Sequence, residues 1–331
     1  MRLTRLLLED FRSYASAELH PDPGLTIVAG PNGAGKTNLL EAAHVAITGR
    51  SHRAGTEAEL VRHGQPFARV RLDLGSDDGR RDPARIELLL PGAEPPDGLR
   101  KRLLVNGLPR RPSSVGEVAR SVLFRPEEML LVGSPSERRR FLDAILSQRD
   151  RRAARDLAEL ARVLVQRNAL LRAIRREEAG EEGLGFWDEQ LAQVAGRVMA
   201  ARLTLVRDLD ARIPGLHDAV APADERGERV RLAYLDSLKE AWRARRAVEE
   251  DASGLADELA EAFRARIAAA RQKEVWNGVS LVGPQRDDLR VELAGRDVAT
   301  HASRGQQRTI ILAMKLAERE LLAGGEAGMP I

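Results

Sequence analysis

The sequence predicts an α/β protein of the P-loop NTPase class, its nucleotide-binding lobe built from both ends of the chain and a mainly helical lobe inserted between them. Three features carry this. A glycine-rich phosphate-binding signature, Gly30 to Thr37, stands between an apolar run and a helical pattern. Strand-like segments fill the first hundred residues and return after about residue 275. Between them, from about Arg110–Ser114 to Lys273, apolar residues recur at helical spacing.

Near the N-terminus "RLTRLLLEDF", "ARVRLDL", "ARIELLL" and "RLLVNG" have strand character, and "PGAEPPDG" is a loop. "LTIVA", Leu25–Ala29, suits a buried strand. After the signature, Leu39, Leu40, Ala43, Ala46 and Ile47 recur at helical spacing, so the loop runs into a helix N-terminus, whose free amides and dipole favour anions. Gly30, Gly35, Lys36 and Thr37 satisfy G-x-x-x-x-G-K-[ST]. In that motif the loop backbone, here Gly30, Pro31, Asn32, Gly33, Ala34, Gly35, Lys36, Thr37 and Asn38, cradles phosphates. Lys36 reaches the terminal phosphates and the Thr37 hydroxyl ligates Mg²⁺. Only five of the 53 basic residues are lysine, and one stands where a flexible point charge suits better than a rigid fork.

The helical part opens on a well-specified start: Ser134 as N-cap, Pro135 at the first position and Glu137 three residues on. Leu157, Leu160, Leu164, Leu171 and Ile174 follow a three-and-four alternation, broken by "EEAGEEGLG" and resumed by Trp187, Leu191, Val194, Val198, Ala201 and Leu205. This is an antiparallel helical hairpin over about 134–210. It either protrudes, by about 40 Å at 1.5 Å per residue, or lies flat on the body. Leu255, Leu259, Phe263 and Ile267 mark a further amphipathic helix; "VSLVG" and "LRVELAG" are strands; a strong helix runs from Gly305 to about Leu322. The expected division is 1–112 with 275–331 for the nucleotide lobe and 113–274 for the helical lobe.

At 331 residues the chain exceeds a usual single core. With 43% hydrophobic but only 3% aromatic residues, the core must be Leu, Val, Ala and Ile, which suits helices over parallel strands. The absence of cysteine excludes disulfides, cysteine-ligated zinc and a cysteine nucleophile, and fits the cytoplasm. No apolar run approaches eighteen residues, so no membrane segment or signal peptide is expected. A net charge of +3 is a weak argument for nucleic acid, and local clusters must carry it. The densest is Arg138, Arg139, Arg140, Arg149, Arg151, Arg152 and Arg155; smaller ones lie at Arg100–Arg102, Arg172–Arg176 and Arg243–Arg246. The rival reading is a solvated face of i,i+4 ion pairs. Scarce aromatics favour backbone contact over base stacking.

"ASRGQQRTIILAMKLAE" holds a second anion-ready helix start. Ser303 and Gln306 form a capping box, with Arg304, Gly305, Gln307 and Arg308 around it. One triphosphate cannot take both helix ends on the same side, which is explained if the second belongs to another subunit.

Five stretches, "LEDFRSY", "GPNGAGKTNLLEA", "VLFRPEEMLLVGSPSERRRFLD", "GPQRDDL" and "SRGQQRTIILAMKLAE", resemble the RecF family of ATP-dependent DNA-repair proteins, related to the SMC and Rad50 branch of ABC-type ATPases. The resemblance implies an ABC-type head with ATP and Mg²⁺, and an ATP-dependent homodimer in which Lys36 and Thr37 face Ser303, Gly305 and Gln306 of the other subunit. It also implies DNA binding at gaps or single-strand/double-strand junctions, cooperation with RecO and RecR in loading RecA, and slow hydrolysis. Arg12 in "DFRSY" resembles an arginine placed beside the nucleotide, against the plain alternative of a surface arginine. Asp287 and Asp288 are read first as a turn or salt bridge, with a metal role as the lesser reading. Arg286 is expected to approach phosphate or a neighbouring subunit's loop, and no role is assigned to Glu127 and Glu128. The sequence reaches "GMPI" where the resemblance would begin the Walker B strand, so nucleotide binding follows and turnover stays open. The alternative is the ATPase subunit of a membrane transporter; the hairpin and "GPQRDDL" count against it. No N-K-x-D motif supports a GTPase.

Overall fold

The computed structural model describes residues 1–51, 53–76, 82–124, 133–223, 225–238, 254–323 and 330–331. It divides into two units, Met1–Phe124 with Arg319–Ile331, and Arg125–Glu318.

The first unit is an antiparallel sheet covered by a helix. Its strands are β1 (Arg2–Phe11), β2 (Tyr14–Leu19), β3 (Phe67–Gly75), β4 (Ala84–Pro91), β5 (Arg102–Val105) and β6 (Leu108–Pro109), in the order β2-β1-β3-β4-β5-β6. Register brings Leu6, Leu72 and Ile86 into one row and Leu8, Val70 and Leu88 into the next. All six are buried, and helix α1 (Lys36–Thr48) covers them with Leu39, Ala42, Val45, Ala46 and Ile47. The other face carries cross-strand ion pairs, Arg69–Glu9, Arg71–Glu87 and Arg85–Asp73. Composition suggested parallel strands, but alternation with one charged face and two-residue connections such as Arg12–Ser13 and Asn106–Gly107 specify antiparallel pairing. A short helix α2 (Pro112–Val115) follows. At the other end of the chain, the Ile331 N–H donates to the Arg120 carbonyl at 2.8 Å and its carbonyl accepts from Val122 at 3.1 Å, while its side chain packs on the same core.

Leu25–Ala29 departs from expectation. It forms no ladder among the described residues, and Leu25 and Ile27 are 83% and 79% exposed. An apolar β-branched run becomes a strand only when another strand lies beside it, and the sheet edges here are β2 and β6.

The second unit is mainly helical: α3 (Pro135–Arg149), α4 (Arg151–Arg175), α5 (Leu184–Asp210), α6 (Ile213–Val220) and α7 (Leu255–Asn277). The α3 start carries the capping box read from sequence, with the Ser134 N–H donating to Glu137 Oε2 at 2.7 Å. Helices α4 and α5 make the hairpin, and it does not stand free, because α5 packs along α7. Their backbones approach so closely that a Cβ on Gly196 would lie 2.3 Å from the Ala256 carbonyl oxygen. Between the three helices Arg167, fully buried, donates to Asp188 (2.7 Å), Glu274 (2.6 Å) and Ser280 (2.8 Å).

A small antiparallel sheet orders β7 (Val230–Leu235), β8 (Asp288–Leu293) and β9 (Arg296–Asp297); α8 (Val298–His301) and α9 (Arg304–Leu322) follow. Here the unit boundary differs from the expected one: residues 275–318 group with the helices. The cause is long-range pairing, since β8 runs against the whole of β7 and Arg138 of α3 forks Asp288 at 2.7 Å through both Nε and Nη2.

Candidate nucleotide-binding site

The phosphate loop is shaped by glycines in left-handed backbone, where a β-carbon is strained: Gly33 and Gly35 have φ of +83° and +93°. Gly35 is the N-cap of α1. No side chain caps this helix and no carboxylate stands in its first turn, so its leading amides are unspent and its positive end unopposed. Pro31, Asn32, Gly33, Ala34 and Thr37 are exposed, and Ala34 N–H bonds the Pro31 carbonyl at 3.3 Å. Lys36 Nζ lies over the loop, donating to the Gly30 and Pro31 carbonyls at 2.6 and 2.7 Å. The turn between β1 and β2 presses on the loop, for a Cβ on Gly35 would come within 3.0 Å of Ser13 Oγ and Tyr14 Oη. A short uncapped cradle with one lysine suits a phosphate chain. The site residues fit ATP on that ground.

Beneath the loop lies an arrangement that sequence reading missed. Glu41, one turn past Thr37, is fully buried. It accepts from Arg12 Nε and Nη2 at 3.1 and 3.0 Å, from Arg53 Nη2 at 2.7 Å and from Ser51 Oγ at 2.6 Å. Burial alone would raise its pKa, but the hydrogen bonds from Arg12, Arg53 and Ser51 outweigh it and hold the carboxyl at about 2. Arg53 also donates to Asn38 Oδ1 at 2.5 Å, and Asn38 Nδ2 to Ser13 Oγ at 2.9 Å. Arg12 is therefore anchored behind α1, its third nitrogen on the Glu59 carbonyl at 2.8 Å. Arg12 and Asp10 take φ of +53° and +45°, left-handed backbone that costs a non-glycine residue about 1 kcal/mol or more and is typical of sites where geometry matters. One signal was available, a lone glutamate on the apolar stripe between Leu39 and Val45. Its partners, 29 and 12 residues away, left no periodic trace.

The second expected element sits at the start of α9. The Ser303 N–H donates to Gln306 Oε1 at 3.0 Å and the Gln306 N–H to Ser303 Oγ at 3.1 Å, closing the capping box. Arg304 and Gly305 are exposed, and Gln307 turns inward to the Val298 and Ala302 carbonyls.

Of the arginines expected on DNA, Arg138 is held by Asp288 and Arg139 bonds the Asp287 carbonyl at 2.6 Å. Arg149 pairs with Asp208 at 2.9 Å. Arg140, Arg151 and Arg152 are placed around α3 and α4, with Arg151 and Arg152 exposed. In "GPQRDDL", Asp287 is buried and accepts from Tyr234 Oη and the Ser237 N–H, both at 2.7 Å; burial raises its pKa. With Asp288 on Arg138, both acids are structural, and among the described residues no acid or histidine cluster could hold a metal. Arg286 donates to the Ser280 carbonyl of its own chain. Glu127, Glu128 and Arg243–Arg246 lie outside the described residues.

The sheet, the glycine loop and its helix define a P-loop ATPase, and an AAA domain model matches residues 5–95. Curated relatives narrow this. The chain is 36% identical to the DNA replication and repair protein RecF of Chloroflexus aggregans, over 99% of this chain and 84% of the relative. It is 39% identical to RecF of Kineococcus radiotolerans, over 100% and 83%. The solved structure of a recombination mediator protein RecF with ATP superposes with a TM-score of 0.86 at 27% identity, over 99% of this chain and 83% of that one. The chain belongs to the RecF family: it is an ATP-binding protein of DNA replication, repair and recombination. A transporter subunit is not favoured. Among the described residues no helix is long and apolar enough to cross a membrane.

Proposed function

We propose that this chain is an ATP-gated DNA clamp. Residues 30–38 of one copy hold the triphosphate, Lys36 on its terminal phosphates and Thr37 on the accompanying Mg²⁺. The turn Ser303–Gln307 of a second copy closes over it, so that ATP makes the dimer. The observation that carries this reading is the α1 N-terminus, uncapped and free of carboxylates, paired in the same chain with a serine-capped second helix start. In this reading the dimer binds DNA at gaps or single-strand/double-strand junctions, acts with RecO and RecR in RecA loading, and hydrolyses ATP slowly. The relative solved with ATP is described as a mediator in the RecFOR pathway, which supports those partners.

Sedimentation with ATP, with ADP and without nucleotide tests the gate. The expected result is dimer with ATP alone, and monomer with Lys36→Arg under all three conditions. Assembly indifferent to nucleotide refutes it.

A further inference from the structure

The end of α7 and the loop after it are unusual in this unit. Trp276 is 80% exposed in a chain with only three tryptophans. Around it the cations are unspent. The side chains of Arg172 and Lys273 make no hydrogen bond or ion pair among the described residues, and Arg175 reaches only the Asn277 carbonyl at 3.4 Å. Arg286 bonds only the Ser280 carbonyl. Several other arginines of the same unit are matched to carboxylates, among them Arg138, Arg149, Arg197, Arg202 and Arg264.

The place is also rigid. Glu274 spends one oxygen on Arg167 and the other on the Leu281 and Val282 N–H groups, at 2.6 and 3.2 Å, so the loop is tied to the buried ion network. Gly278 caps α7 at φ +67°, and its missing side chain lets Arg172 and Arg175 lie 3.3 Å from where a Cβ would be. Lys273, Trp276 and Asn277 share one helical face, with the Asn277 amide on the Lys273 carbonyl. From Val275 to Arg286 the sequence contains no carboxylate. The exposed acids Glu177 and Glu178 come after α4 has ended, in the hairpin turn.

We infer that this surface binds single-stranded nucleic acid, with an unpaired base stacked on Trp276 and the flanking phosphates on Arg172, Arg175, Lys273 and Arg286. An exposed, rigidly mounted indole among unneutralised cations offers both halves of single-strand recognition, a π-face that accepts any base and charges that track the backbone. A duplex keeps its bases stacked on one another and gains only the charge interactions. The inference rests on the reading of the chain as a DNA-binding protein, and places the single-stranded arm of its substrate on the helical unit.

The test is binding of the full chain with ATP to a fluorescein-labelled oligothymidylate and to a blunt duplex, across a salt series. Trp276→Ala is expected to lower single-strand affinity about ten-fold and to leave duplex affinity within about two-fold, while Trp276→Phe retains most of the single-strand binding. Arg172→Ala combined with Arg175→Ala and Lys273→Ala is expected to flatten the single-strand salt slope by about 2, since each phosphate left without its cation takes about 0.7 off the slope. If the unaltered chain binds single strand and the variants bind it equally, with unchanged salt slope, this surface is refuted while the DNA-binding reading stands. Should Trp276→Ala weaken duplex and single strand alike, stacking is refuted. A wild-type chain that binds neither DNA overturns both readings.

Discussion

Replacing Glu41 by glutamine tests how the phosphate loop is held. The carboxylate is fully buried and receives four hydrogen bonds, three of them from Arg12 and Arg53. Its pKa falls from an ordinary 4.5 to about 2. At 1.36 kcal/mol per pKa unit this is roughly 3 kcal/mol of stability at neutral pH, the lower end of what losing one partner of a buried pair costs. Because the folded value is depressed, the contribution is fully present above about pH 4.5 and is lost as the pH falls from there towards 2. Glutamine keeps the shape and cannot ionise. Urea denaturation followed by circular dichroism is expected to show Glu41→Gln about 3 kcal/mol less stable at pH 7, with the gap narrowing at pH 4 and again at pH 3. A gap below about 1 kcal/mol at pH 7, or one that stays constant with pH, would refute the reasoning.

Three further outcomes follow from the same geometry. Gly35→Ala forces a β-carbon into left-handed backbone and against Ser13 and Tyr14, so it is expected to cost about 1–2 kcal/mol and to abolish ATP binding in a calorimetric titration. Arg167→Ala leaves the buried Glu274 without a cation while Asp188 keeps only Arg271; thermal unfolding is expected to report a loss of about 3–5 kcal/mol, and a change under about 1 kcal/mol would contradict the burial of that charge. Ser303→Ala removes a helix cap worth about 1 kcal/mol and is expected to prevent ATP-dependent dimerisation in sedimentation, whereas normal dimers would take the serine out of the closure.

Local signals were legible in the sequence and distant ones were not. The Gly30–Thr37 loop, the Ser134 and Ser303 capping boxes and the hairpin helices each depend on residues a few positions apart, and each forms where its spacing places it. The pairing of β7 with β8, separated by more than fifty residues, was invisible, and with it the grouping of residues 275–318 with the helices. The same limit hid Arg53 and Glu41. The Leu25–Ala29 run shows the converse failure, because propensity alone cannot supply the neighbouring strand. The arginine-rich run at Arg138 looked like a nucleic-acid surface by density, yet Arg138, Arg139 and Arg149 turned out to be committed internally.

The close seat of α5 on α7 at Gly196, locked by a guanidinium that has no water to retreat to, removes the usual freedom of packed helices to slide. Pulling α7 along its axis would drive the Ala256 carbonyl into α5 and break two ion pairs at once, Glu274 with Arg167 and Arg271 with Asp188. The trio therefore behaves as a strut. A force applied at Trp276 is shared by all three helices through Glu274, Arg167 and Asp188 rather than carried by α7 alone.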